Sequence, residues 1–162
     1  AGRGVTNTAI VYTSTRGDYM GQHGLLGVHP RLPYEGAIRT PLIVSGLAGQ
    51  RQGERDDAAV STADLAPTIL SWAGGAGSCD GESVTARLLD GSAPWREASL
   101  TETGGGWTAR SARAKRSEGL GAGRDLYFRL DSDPDETDNR YGRTADAEFA
   151  SLGAAIDTRR SR

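Results

Sequence analysis

The chain has 162 residues, 36% of them hydrophobic, with 23 glycines and a formal net charge of −2. This length fits one domain or a large piece of one, and the low apolar share with so much glycine suits a loop-rich fragment better than a compact enzyme. The charge points away from nucleic-acid and anionic-membrane partners, no stretch approaches the ~20 apolar residues of a membrane span, and the single cysteine, Cys79, excludes an internal disulfide or a cysteine-rich zinc site.

In chain order, Ala1-Gly2-Arg3-Gly4 is no signal peptide and reads as sequence from within a domain, so no localisation follows. Thr8-Ala9-Ile10-Val11-Tyr12 is a short β-branched and apolar run that predicts a buried strand. It stops at Ser14-Thr15-Arg16-Gly17, polar residues with a glycine able to take positive φ. An irregular segment over about 15–38 follows, far longer than the usual loop of ~4–6 residues and of the size that carries function or disorder. Pro41-Leu42-Ile43-Val44-Ser45 predicts a second strand, ended by Gly46. Ser61-Thr62-Ala63-Asp64 opens a helix with Ser61 or Thr62 as N-cap, Pro67 tolerable only in its first turn, and Leu65, Ile69 and Trp72 as the buried face. Gly74-Gly75 end it. Two short antiparallel strands are predicted at Arg110 to Ser117 and Asp125 to Leu130, joined by the glycine-rich 118–123. Ala145, Phe149, Leu152 and Ile156 then line one face of a closing helix.

The run Ser14-Thr15-Arg16-Gly17-Asp18-Tyr19-Met20-Gly21-Gln22-His23-Gly24 and the run Pro33-Tyr34-Glu35-Gly36-Ala37-Ile38-Arg39-Thr40-Pro41-Leu42-Ile43-Val44 carry a family pattern. They resemble the second half of the sulfatase family, in the alkaline-phosphatase-like superfamily. There an apolar strand ends in Ser-Asp-His-Gly or Ser-Asp-Asn-Gly, Gly-x-His-Gly follows, then a lysine four residues before Tyr-Glu, then Arg-x-Pro into another strand. Ser61 to Leu70 is similar to the family's next helix. Asp125-Leu126-Tyr127 with Asp133-Pro134-Asp135-Glu136-Thr137-Asp138-Asn139 is like its Glu-Leu-Tyr strand and Asp-Pro-x-Glu-x-x-Asn turn. The resemblance implies an α/β fold: the C-terminal part of a sulfatase, with strands of a mixed sheet plus a small antiparallel C-terminal sheet and a closing helix. It divides the chain into 1–75, the end of the α/β core, and 76–162, the C-terminal subdomain. The implied reaction is hydrolysis of a sulfuric ester, with a small sulfate or phosphate ester as substrate and Ca²⁺ or Mg²⁺ as the intact family's cofactor.

Against that pattern the chemistry departs. Thr15 and Arg16 stand where the resemblance places two ligands of a divalent cation, and Pro30 stands at the lysine position. Thr15 is a weak neutral ligand and Arg16 a permanent cation, so no metal is expected there and no cofactor on this chain. In an open α/β sheet, ligands gather beyond the carboxyl ends of strands, which puts Thr15 and Arg16 at a site rim. Arg16, His29 and Arg31 are the candidate anion contacts, Arg31 bidentately, with solvated loop cations as the plain alternative. His23, Tyr34, Glu35 and Arg39 are read as bracing the loop. The family's nucleophile lies in Cys/Ser-x-Pro-x-Arg upstream of the metal motif. The one match here, Ser92-Ala93-Pro94-Trp95-Arg96, lies downstream with no histidine near it, so no catalytic residue is assigned and the chain is expected to be inactive alone. The missing partner is then a catalytic segment upstream. Competing readings are a non-catalytic sulfatase-like remnant or anion-binding module, and a calcium module. The last rests on Asp131, Asp133 and Asp135, which open like an EF-hand loop but lack its sixth-position Gly and its bidentate Glu.

Overall fold

Four residues of β-branched and aromatic character, Ile10–Thr13, form strand β1, which pairs antiparallel with strand β2, Leu42–Ser45. The computed structural model describes residues 8–27, 29, 31–121 and 123–161. The chain groups into two compact units, each discontinuous in sequence: one of residues 8–16, 40–56 and 62–95, the other of 17–39, 57–61 and 96–161.

The first unit holds the β1–β2 ribbon and helices α2, Leu65–Trp72, and α3, Thr85–Leu89. Tyr12 sits opposite Ile43, and Ile10 shares their face two residues away. Their exposures of 62%, 59% and 61% mark this as a broad apolar surface in contact with solvent, where a buried strand was expected. Helix α2 also departs from expectation. A 3₁₀ turn, Thr62–Asp64, precedes it, so its N-cap position falls at Asp64 and not at Ser61 or Thr62. Its buried side is polar. Thr68 Oγ1 donates to the Asp64 carbonyl and accepts from the Val84 amide, and the Asp64 carboxylate accepts from the Glu82 amide at 2.9 Å. Leu65 and Trp72 are half-buried, and Ile69 is exposed, because the helix seats on segment 82–84 through these hydrogen bonds and not through an apolar stripe.

The second unit is built on a four-stranded antiparallel meander: β3, Ser99–Thr103; β4, Gly106–Arg110; β5, Ala114–Glu118; and β6, Leu126–Arg129. The stretch Arg110 to Ser117 is therefore not one strand. Ser111 Oγ accepts from the Arg113 and Ala114 amides, a serine turn that reverses the chain between β4 and β5. Helix α4, Ala147–Arg160, covers one face of the sheet. Ala109, Ala114, Tyr127, Leu152 and Ile156 form the core there, with Phe149 packed against it. Ala145 lies outside the helix and is exposed; Asp146 is the N-cap, accepting from the Phe149 amide at 2.7 Å and from the Tyr127 hydroxyl at 2.8 Å.

The opposite face carries Thr108, Arg110, Lys115, Ser117 and Phe128, in register with one another across the strands. It is covered by the segment leading into α1, Glu35–Ile38. Both faces of β5 are thus closed, which is why Ala114, Lys115, Ser117 and Glu118 are all buried although three of the four are polar. Gly17 makes a backbone approach that no other residue allows. Its amide donates to Ala37 at 2.8 Å, and a Cβ would lie 2.0 Å from the Gly36 carbonyl oxygen.

Candidate functional site

The carboxyl end of β1 delivers Ser14, Thr15 and Arg16 into a tight turn, closed by the Ser14 hydroxyl donating to the Arg16 carbonyl at 2.7 Å. Thr15 and Arg16 are exposed. Among the described residues no hydrogen bond or ion pair engages the Arg16 guanidinium, which leaves its five donors to solvent. Beside the turn is an open cavity of about 260 Å³ lined by Thr13, Ser14, Thr15, Thr62 and Leu65. It is smaller than the ~300–1,000 Å³ of typical small-molecule pockets. Four of its five lining residues carry hydroxyls, but the surface they expose is mostly apolar and the Ser14 hydroxyl is already committed to the Arg16 carbonyl, which leaves the three threonines as the donors open to a small oxyanion.

In the second unit, Tyr34 lies between Phe128 and Tyr19, with ring centroids 5.9 and 6.2 Å away, and burial raises its phenol pKa. On its open side the His23 imidazole stacks at 3.9 Å and 16°. His23 belongs to the 3₁₀ turn Gln22–Gly24 and takes φ 53°, a left-handed conformation that non-glycine residues rarely hold. His29, Arg31 and Arg39 are exposed.

The densest electrostatics of the second unit sit beneath Tyr34. Lys115 is fully buried; its ammonium donates to the Pro33 carbonyl at 2.6 Å, pairs with Glu136, and lies 3.7 Å from Glu35. Arg110 forks onto Glu35, with Nε and Nη2 at 3.0 and 2.9 Å from its two carboxylate oxygens. Glu136 accepts from the Glu35 amide at 2.6 Å. Burial pushes the Lys115 pKa down against the pull of Glu136 and Glu35, and pushes Glu136 up against the pull of Lys115. Burial also raises Glu35, but the Arg110 hydrogen bond and the charges of Lys115, Arg110 and Arg39 outweigh it, so its carboxyl sits below the usual range.

Lys115, Arg110 and Glu136 were not singled out as site residues by sequence reasoning. One signal was present: of the 19 Lys and Arg residues Lys115 alone is lysine, and it lies within a strand. Ser92 is exposed and its hydroxyl donates to Asp90 in a local turn. Of the acidic run, Asp131 is paired with Arg129, and Asp133 accepts from the Thr137 and Asp138 amides. Among the described residues no group of three or more His, Cys, Asp or Glu is placed to hold a metal ion.

A family model described as Sulfatase matches residues 5–76. The multifunctional alkaline phosphatase superfamily protein PehA of Trinickia caryophylli is 35% identical over 95 residues, which cover 56% of this chain and 18% of that protein. The N-acetylglucosamine-6-O-sulfatase of Bacteroides thetaiotaomicron is 40% identical over 68 residues, 42% of this chain and 12% of the relative. Among solved structures, BT4656 in complex with its substrate D-glucosamine-2-N,6-O-disulfate superposes with a TM-score of 0.75 at 28% identity, over 95% of this chain and 33% of that one. Residues 5–76 of the chain belong to the sulfatase family. The phosphonate monoester hydrolase of Silicibacter pomeroyi, at 26% identity and TM-score 0.76, matches over 97% of this chain and 35% of its own. The chain spans about a third of the length of these solved relatives, and less than a fifth of the two curated ones.

Proposed function

We propose that this chain is the C-terminal portion of a sulfatase-family hydrolase of sulfuric esters, and that it does not turn over substrate by itself. What carries the reading is the conjunction of two facts. The fold likeness runs over 95% of this chain but a third of the substrate-bound relative, and inside the family-matched stretch the strand end holds Thr15 and Arg16. A neutral hydroxyl beside a permanent guanidinium does not fit a divalent cation, so no step is assigned to a metal here. Arg16 supplies positive charge at that strand end and can meet a tetrahedral oxyanion directly, with the Thr13, Thr15 and Thr62 hydroxyls of the neighbouring cavity as further donors. His29 and Arg31 are anion contacts in their own right. The ester is a small sulfate or phosphate ester; one relative is named for sulfate-ester chemistry and another for the hydrolysis of phosphonate monoesters, whose tetrahedral oxyanion resembles that of a phosphate. In the longer fold, β1 and β2 belong to a mixed sheet, residues 1–75 close the α/β core, and 76–162 form the C-terminal subdomain, with an upstream segment supplying nucleophile and metal ligands.

A second reading, a non-catalytic sulfatase-like remnant that binds anions, is favoured by Arg16 at a cation position. One experiment bears on both. The purified chain is titrated with sulfate while backbone amide shifts are followed, and then offered aryl sulfate and aryl phosphate esters. Saturable shifts at residues 14–18 with affinity on the order of millimolar, lost in Arg16→Ala, and ester hydrolysis no faster than in buffer are expected. Absence of shifts at high sulfate defeats the anion contact. Turnover that disappears in Ser92→Ala defeats the assignment of no nucleophile.

A further inference from the structure

Two residues flanking Tyr34 are tied to the buried charge cluster from opposite sides. The Pro33 carbonyl accepts from Lys115, and the Glu35 amide donates to Glu136, both at 2.6 Å. Glu35 is held again through its side chain by the Arg110 fork. With the backbone fixed on both sides of it, the Tyr34 ring has one seat, against Phe128 and Tyr19, and its outward face is where the His23 imidazole stacks. The backbone bonds of the turn, from the Gln22 amide to Tyr19 and from the Leu25 amide to Gln22, fix the path of the chain without reaching the imidazole. Glu136 is itself informative. It combines burial of a carboxylate with a left-handed φ of 55°, two costs at one residue, which persist only where the surroundings over-determine the conformation.

We propose that Lys115 is a positioning residue for His23: by holding Pro33 and, through Glu136, Glu35, it sets the Tyr34 ring on which the histidine rests. The groups facing the cluster are Glu35 and Arg39 around α1, Arg110 on β4, Glu136 on the turn after β6, and the phenols of Tyr19 and Tyr34. Coupling runs through contiguous contacts, each of which can be cut separately. Nothing in it needs an anion, so its failure and the failure of the sulfate titration are distinct.

The test is NMR of the His23 ring protons in the full chain, which a stacked tyrosine displaces upfield. Tyr34→Leu defines the unstacked position. Lys115→Met cuts the tie but strands the Glu136 charge. Lys115→Met/Glu136→Gln cuts it while leaving a neutral acceptor for the Glu35 amide. In both Lys115 variants the His23 protons should move to the Tyr34→Leu position, while the Leu152 and Ile156 methyls keep their wild-type shifts. Two results would overturn the assignment. One is a folded Lys115 variant whose His23 protons stay where they are in wild type. The other is loss of the Leu152 and Ile156 pattern in both variants, which would make the cluster a requirement of the whole core.

Discussion

Replacing Lys115 with methionine keeps most of the apolar stem of the side chain and removes its charge together with its hydrogen-bond donors. The ammonium has no exposure to solvent, and its partner Glu136 is 4% exposed, so the variant leaves a carboxylate buried without its counter-ion. Removing one member of a buried pair costs about 3–5 kcal/mol, a large share of the ~5–15 kcal/mol that holds a domain together. The pH dependence supplies the signature. Burial already raises the Glu136 carboxyl in the wild type against the pull of Lys115. Without that pull it rises further, and a carboxyl whose folded pKa exceeds its unfolded value is costly while ionised and relieved by protonation. The deficit is therefore largest at neutral pH and shrinks as the pH falls toward the carboxylate range. Adding Glu136→Gln removes the stranded charge, so the double variant should lose only about 1–3 kcal/mol, for the Pro33 carbonyl and Glu35 carboxylate deprived of a donor. Urea unfolding at neutral and mildly acidic pH measures all three proteins. A Lys115→Met deficit below ~1 kcal/mol that does not change with pH would refute the reasoning.

Asp146→Ala removes the N-cap of α4 and the acceptor of the Tyr127 hydroxyl together; a loss of about 1–2 kcal/mol, roughly 3–6 °C in melting temperature, is expected by calorimetry. Gly153→Ala should also destabilise, despite a helix-propensity gain of ~1 kcal/mol. The new Cβ would sit 2.3 Å from Arg116 Nη1, and that guanidinium is held by the Phe149 carbonyl, Glu118 and the Phe149 ring, so the overpacking cost of ~1–3 kcal/mol wins; a higher melting temperature would show that Arg116 moves freely. Addition of Ca²⁺ or Mg²⁺ should leave the melting temperature unchanged, whereas a site filled at one hundred times its dissociation constant would add ~2.7 kcal/mol.

The sequence made the frame of the fold legible where local chemistry speaks for itself. Two strands at residues 10–13 and 42–45, the helix ended by Gly74, β6 and the apolar side of α4 follow from β-branched runs, a glycine stop and helical spacing. It was least legible where polar residues do the packing. Ala-Lys-Arg-Ser-Glu reads as a solvated strand, and only the closing of both sheet faces buries it. Asp64 and Thr68 form the seat of α2 through hydrogen bonds to segment 82–84, which no hydrophobic period announces. For the site, the strand-end position of Thr15 and Arg16 was readable from the family pattern. The Lys115 cluster was not, because its members lie at positions 35, 110, 115 and 136 and meet only through tertiary structure.

The uncovered face of the β1–β2 ribbon bears on how this chain behaves in a test tube. Residues 8–15 carry no charge and no proline, and the strand within them is β-branched and aromatic. A two-stranded ribbon is marginal in water, and its open edges offer unpaired backbone groups to any similar strand. Such a window is an aggregation template unless a charged gatekeeper interrupts it. Colloidal behaviour will follow this short run more closely than the net charge of −2, and a single lysine in place of Ile43, which points into solvent, is the change that would keep concentrated samples dispersed.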